Sequence, residues 1–302
     1  MSIKNGLLTI PEDGELFRIA GFYPKSLPGT SRLNTAAPRI SRRVLHEWPL
    51  SLVEAAEFPD DPDVPQRIVK IQLSEASVER DFFRFAAPLL RNGRNGIRIP
   101  ELLGWELAGD CDWMILSREE GTPENWSSLT KDEIRERVRQ INAVFQSPDF
   151  SRAPVFTDWS TAARFAGDIQ KDIPALLSGG MENPGQISDW LDREGRKCWN
   201  SPVGLLHGDL KAENLLSAGD GTVLLDWQRP LRAPLPLEES LSILLERGIH
   251  EAPGPGENAV FDSLACFDLA HWYAWAWRAC LPYPFVLKQA VTYASAGLSF
   301  AE

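Results

Sequence analysis

One ordered string constrains this chain more than any other feature. L-L-H-G-D-L-K-A-E-N-L-L runs over Leu205–Leu216, and V-L-L-D-W-Q follows at Val223–Gln228. Short apolar runs bounded by turn residues read as buried strands. The fold must therefore carry Asp209 on a loop after one short strand, Asn214 five residues later, and Asp226 at the end of the next strand. Taken singly, Asp209 and Asn214 read as turn caps and Asp226 as a strand-end aspartate. The ordered set is far more specific than its members.

Phosphoryl transfer from ATP needs metal ligands, a cation that positions the nucleotide and a residue that orients the attacking hydroxyl. The string supplies most of these. Asp209 reads as the base facing an acceptor hydroxyl, Asn214 as a ligand turning its amide oxygen to Mg2+, and Asp226 as the ligand of a metal bridging the ATP phosphates. Leu224 and Leu225 would keep the second strand buried and Asp226 fixed. On the residues alone, His207 stands as a second candidate general base.

The pattern resembles the aminoglycoside phosphotransferase and choline kinase group, the small-molecule branch of the protein-kinase-like fold. Those enzymes carry H-G-D or H-N-D, then N, then I-D-W or I-D-F. The resemblance implies that His207 braces the loop instead of moving protons. D-L-K-A-E-N is also close to the protein-kinase string, which places Lys211 where it could touch the transferring phosphate. Gly208 in place of arginine, D-W-Q in place of D-F-G, and an A-P-L at Ala233–Leu235 that arrives too early speak against a protein kinase.

In R-I-V-K-I-Q, Lys70 falls on the third predicted strand, where kinase-like folds hold a lysine for the α- and β-phosphates. Ile68 and Lys70 share one face, and a lysine on an apolar face needs an anionic partner. Glu79, followed by Phe82 and Phe83, resembles the E-x-x-F-Y of part of the group and is the expected partner, with Asp81 and Glu75 as competitors. No glycine-rich loop joins the first two strands. The W-P-L-S turn at Trp48–Ser51 takes its place, so Ser51 and its neighbouring amides would cover the phosphates, with G-T-S-R-L-N at Gly29–Asn34 as an alternative cover. Backbone groups near Leu116 and Arg118 would meet the adenine edge.

The fold expected is α+β and two-lobed. Residues 1–117 form a nucleotide-binding lobe, a mostly antiparallel sheet with one helix, and residues 118–302 a larger, mainly helical catalytic and substrate-binding lobe. The strands expected are Arg43–Trp48, Leu52–Phe58, Gln66–Gln72, Ile97–Leu103 and Asp112–Leu116, with P-D-D-P-D-V-P as a solvent loop. The helix after Ser74, read as its N-cap, would bury Val78, Phe82 and Phe85. The helix from Thr130 would bury Ile134, Val138, Ile141 and Phe145. The aromatic tail, with Trp272, Tyr273, Trp275, Trp277, Tyr283 and Phe285, reads as packed core.

Charge narrows the partners. The chain has 31 Lys and Arg against 42 Asp and Glu, a balance that repels polyanions and argues against DNA or RNA. Most of the excess lies in the second lobe, which reads first as ordinary solubility and second as an attraction for a cationic acceptor. Glu238, Glu239, Asp262 and Asp268 read as solvated surface residues, with amine binding as the alternative. Cys111, Cys198, Cys266 and Cys280 show no C-x-x-C spacing and read as reduced, buried thiols. No signal peptide or membrane-length run stands out, so a cytoplasmic protein is expected. The function expected is transfer of the γ-phosphoryl of ATP, with Mg2+, to a hydroxyl of an antibiotic, sugar, amino alcohol or related metabolite. A nucleotide-binding module without activity is the alternative, and a protein kinase ranks behind it.

Overall fold

The computed structural model describes residues 2–4, 7–9, 41–48, 51–57, 65–90, 93–108, 111–219, 221–251, 259–279, 281 and 283–300. The centre of the W-P-L-S turn, the G-T-S-R-L-N stretch, most of the P-D-D-P-D-V-P loop and Cys280 lie outside the described residues. The chain divides into two compact units, Met1–Gly121 with Ala218–Leu225, and Thr122–Ser217 with Asp226–Glu302.

In the first unit, strands β1 (Ser2–Lys4) and β2 (Leu7–Thr9) form an antiparallel hairpin. A five-stranded antiparallel sheet follows. Its strands are β3 (Ser41–Trp48), β4 (Ser51–Glu57), β5 (Arg67–Leu73), β7 (Leu102–Ala108) and β8 (Cys111–Ser117), in the order β3-β4-β5-β8-β7. The run expected as one strand over Ile97–Leu103 is instead two. Pro100 has no N–H to donate to a ladder, so the chain breaks there, and β6 (Ile97–Arg98) pairs with β13 (Gly221–Leu224) while β7 pairs with β8. The pairing of β6 with β13 draws residues 218–225 into the first unit.

The strand β5 runs through to Leu73, so the chain first makes a 3-10 turn over Ser74–Ala76 and helix α1 begins at Glu79 (Glu79–Leu90). Ser77, not Ser74, therefore caps it, its hydroxyl accepting the Glu79 N–H at 3.0 Å. The later start rotates the buried stripe to Glu79, Phe82, Phe83, Ala86 and Leu90, leaving Val78 and Phe85 half-buried. One consequence bears on the site: the stripe puts a carboxylate in the core.

The second unit opens with β9 (Thr122–Pro123), which pairs with β12 (Leu215–Ala218). Thr130 and Glu133 form a capping box at the start of α2 (Lys131–Phe145), whose Ile134, Val138, Ile141 and Phe145 are buried as the 3.6-residue period requires. A three-stranded sheet orders β10 (Thr157–Asp158), β14 (Leu231–Pro234) and β11 (Val203–Leu206). Helices α3 (Ala162–Ser178), α4 (Gln186–Arg193), α5 (Pro236–Arg247), α6 (Ala259–Ala279) and α7 (Pro284–Ser299) complete it. Their core joins Trp159, Phe165, Trp190, Leu206, Leu237 and Phe267. Of the aromatic tail, Tyr273 and Trp277 pack against this core, Trp272 and Trp275 pack on Phe156, and Phe285 is 55% exposed. Among the described residues no helix is long and apolar enough to cross a membrane. Cys111, Cys198 and Cys266 are buried, and burial pushes the Cys198 and Cys266 thiols up to about 12.

Candidate active site

The H-G-D string leaves β11 as a tight turn. Gly208 has φ +82, and a Cβ there would stand 2.2 Å from the main-chain oxygen of Arg229. Only glycine fits such a conformation and such an approach. Its N–H donates to both oxygens of Glu238 at 3.2 Å, so a fully buried carboxylate at the start of α5 holds the turn. His207 is buried with its ring 4.4 Å from that of Trp227, and its Nδ1 accepts the Asp209 N–H at 3.3 Å. This is a brace within the loop, and it occupies the nitrogen that faces Asp209.

Asn214, at the end of a 3-10 turn over Ala212–Asn214, turns its Nδ2 back to Asp209. It donates to the main-chain oxygen at 2.8 Å and to Oδ2 at 3.1 Å. The Ala212 N–H is held by Glu246 at 3.1 Å. Lys211 Nζ lies 3.6 Å from Asp209 Oδ2 and 2.7 Å from Glu213 Oε1. Burial pushes the Asp209 carboxyl up to about 6; Lys211, Arg229 and Asn214 oppose the shift and Asp226 adds to it. The 23% of the side chain still exposed keeps Asp209 in reach of solvent. For Lys211, desolvation lowers the ammonium, but Asp209, Glu213 and Asp226 outweigh it and hold the group above its ordinary value.

Asp226 follows β13 with φ 60, a left-handed conformation uncommon for a residue with a side chain and tolerated best by Asp and Asn. The strand ahead of it is buried through Val223 and Leu224, and Trp227 behind it is fully buried. Leu225, expected to be buried with that strand, lies past its end and is half-buried, so Asp226 is held by Leu224 two residues before it and Trp227 after it. Mg2+ takes hard oxygen ligands and is held by one or two carboxylates plus phosphates and water. Asn214 engages Asp209 through its nitrogen, which leaves its oxygen end for a metal, and Asp226 is a carboxylate. Among the described residues no group of three or more His, Cys, Asp or Glu is arranged to hold a metal. The donor set fits a metal shared with phosphates, not a closed protein cage.

In the first unit, Lys70 Nζ meets Glu79 Oε2 at 2.7 Å, with side chains only 6% and 1% exposed. The competitors are engaged elsewhere or exposed: Asp81 binds Arg80 and Arg84, and Glu75 faces solvent. Ser51 is the first residue of β4, buried and paired with both Trp48 and Gln72. Leu116 sits inside the sheet, paired with Ile68 and Leu102, while Arg118 lies just past the end of β8, with 36% of its side chain exposed and 3.9 Å from Glu57.

The acidic residues expected at the surface of the second unit are not there. Glu238 is buried on the Gly208 turn, Asp268 is buried against Arg229 at 2.6 Å, and Asp262 is 3% exposed; Glu239 is half-buried and pairs with Arg139 at 2.8 Å. A carboxylate that holds a main-chain turn or a guanidinium can be buried where a free one cannot. Sequence reasoning missed both roles. A signal existed for Glu238, which shares a helix face with Leu241 and Leu245, an improbable place for a solvated charge.

Burial pushes the Glu238 carboxyl up to about 7, against the main-chain N–H groups of Gly208, His207 and Leu210, and Asp268 adds to the rise. A carboxyl raised in the folded state favours folding most below its unfolded value and loses that contribution as pH rises through the folded one. Wild type should therefore lose stability relative to Glu238→Gln between about pH 4.5 and 7. Urea unfolding across that range checks it, and parallel curves would contradict the assignment.

The model of the Phosphotransferase enzyme family (APH) matches residues 61–235, more than half of the chain. The chain belongs to this family, and its reaction is phosphoryl transfer to a hydroxyl acceptor. Comparison with the curated proteins returned no match. Solved structures with the same fold include choline kinase from Cryptosporidium parvum Iowa II, at 11% identity and TM-score 0.58 over 91% of this chain and 92% of that one. A thermostable mutant of the aminoglycoside phosphotransferase APH(4)-Ia, in complex with ADP and hygromycin B, gives 12% identity and TM-score 0.53 over 90% and 96%. A choline/ethanolamine kinase family protein from Mesorhizobium loti gives 15% and 0.51 over 91% and 96%. At these identities the likeness establishes the protein-kinase-like fold.

Proposed function

We propose that the chain is a small-molecule kinase that moves the γ-phosphoryl group of ATP to an acceptor hydroxyl, with Asp209 as base. The observation that carries this reading is the double hold of Asn214 Nδ2 on Asp209, which fixes the carboxylate and leaves the amide oxygen for a metal. In the step proposed, the acceptor oxygen bonds to the γ-phosphorus while the bond from that phosphorus to the bridging oxygen breaks. The hydroxyl proton passes to Asp209, and ADP leaves with the bridging oxygen. Asn214 and Asp226 would hold Mg2+, which when bound would neutralise phosphate charge. His207 keeps the loop in shape, and Lys211 balances Asp209 and contacts the transferring phosphate.

Lys70, kept straight by Glu79, is the proposed contact to the α- and β-phosphates. Ser51 and the backbone near Leu116 and Arg118 are the remaining proposed nucleotide contacts. A buried ammonium in a dry ion pair keeps its place only while the partner stays. Lys70→Met should raise the KM for ATP by about tenfold or more, with acceptor KM nearly unchanged; steady-state kinetics with varied ATP reads the split, and an unaltered KM for ATP would remove Lys70 from the site. The function itself is tested by transfer from labelled ATP with Mg2+ to aminoglycosides, macrolides, amino alcohols, sugars and a generic protein. Labelling of a small molecule, lost in Asp209→Asn, supports the reading. Labelling of the protein alone, or none with no ATP hydrolysis, goes against it.

A further inference from the structure

Asp268, Trp272 and Tyr273 lie beyond the stretch matched by the family, on α6, yet they converge on the neighbourhood of Asp209. Arg229 links them. Its main-chain oxygen abuts Gly208, the residue before Asp209. Its side chain is 10% exposed, donates from Nη2 to Asp268 at 2.6 Å, and lies 4.7 Å over the ring of Trp272. Tyr273 stands within electrostatic reach of Arg229, Asp209 and Lys211, and its ring stacks on Tyr293 at 5.7 Å and 8°.

On the phosphotransferase reading above, we propose that the acceptor is a neutral, oxygen-rich hydroxyl compound and not a polyamine. An oxygen next to the reacting hydroxyl accepts from Arg229, and Tyr273 contributes its hydroxyl to the same space. Arg229 is fixed by Asp268 and Trp272, and among the described residues its Nε and Nη1 have no protein acceptor. Those N–H donors suit an uncharged oxygen. The Arg229–Asp268 pair has no net charge, so an anion would compete with Asp268, and an ammonium at those donors would face a guanidinium whose own counter-ion is already bound. Of the four carboxylates that could have received amines, three are committed, Glu238 to Gly208, Glu239 to Arg139 and Asp268 to Arg229, and Asp262 is buried.

Matched acceptors test this directly: methyl glucoside against its 2-amino-2-deoxy counterpart, and inositol against an aminocyclitol, each assayed for kcat/KM with Mg2+ and ATP at pH 7. The neutral member of a pair should be preferred by about tenfold or more. Arg229→Lys keeps the charge and the Asp268 partner but loses the planar fork, so it should raise the KM of the neutral acceptor and shrink the preference. Tyr273→Phe keeps the ring stack on Tyr293 and should raise acceptor KM severalfold. Preference for the amine, a preference unmoved in both variants, or phosphorylation of neither member while Mg2+-dependent ATP hydrolysis persists would each overturn the proposal. Loss of all ATP turnover in wild type would overturn the phosphotransferase reading with it, and the Asp209→Asn comparison reads that failure separately.

Discussion

Asp209→Asn is expected to lower kcat by about 10²–10⁴, the range associated with loss of a general base, while binding of Mg2+ and nucleotide stays close to wild type. The substitution keeps shape and leaves an oxygen for the Asn214 Nδ2, so the two hydrogen bonds that order the loop survive. What disappears is the charge that takes the proton. Asp226→Ala should do the opposite, weakening metal-nucleotide binding itself by removing a carboxylate ligand. Titration of labelled nucleotide alongside single-turnover transfer separates the two. Because burial pushes the Asp209 carboxyl up to about 6, kcat/KM in wild type should fall on the acid side as pH drops through that value. Equal transfer rates in Asp209→Asn and wild type would sink the assignment of Asp209.

The parts of this site that could be read from sequence are those whose chemistry forces a spacing. Asp209, Asn214 and Asp226 announce themselves because two carboxylates and an amide at strand ends have few structural reasons to recur in that order. Lys70 could be placed for a similar reason, since a lysine that shares an apolar strand face with Ile68 requires a counter-ion. Its partner was legible only by resemblance. Glu79 and Asp81 are two residues apart, and a shift in helix start decides which faces the core; Ser77 as cap, in place of Ser74, made that decision for Glu79.

The features that escaped are pairings between residues far apart in the chain. Glu238 looks like an ordinary acidic residue in the first turn of a helix, where the macrodipole favours it. Nothing local says that the Gly208 turn, 30 residues earlier, places its N–H on that carboxylate. Asp268 and Arg229 are 39 residues apart and meet only because α6 packs beside the segment after Asp226. The same long-range pairing engages three of the four carboxylates that look like an amine-binding surface, Glu238, Glu239 and Asp268, and the fourth, Asp262, is buried. Composition could suggest a cationic acceptor; only the fold shows that these side chains are buried or paired.

Gly208→Ala should be the most damaging single-methyl change in the second unit. The φ of +82 costs an L-residue about 1–2 kcal/mol, and the added Cβ would meet the Arg229 main-chain oxygen at 2.2 Å and Leu231 Cδ2 at 2.8 Å. A backbone oxygen cannot swing aside as a side chain can, so overpacking adds about 1–3 kcal/mol more. Displacing Arg229 also moves the guanidinium whose charge acts on Asp209 and pulls the turn off Glu238, so transfer should fall together with stability. Gly180→Ala provides the comparison: its φ is +95, but nothing lies within 4 Å of the added carbon. It should show the conformational cost alone and retain transfer activity. Urea unfolding of the two variants, read with phosphoryl transfer under native conditions, separates backbone strain from the close approach; equal losses in both would mean that the contact between Gly208 and Arg229 contributes nothing to holding Asp209 in place.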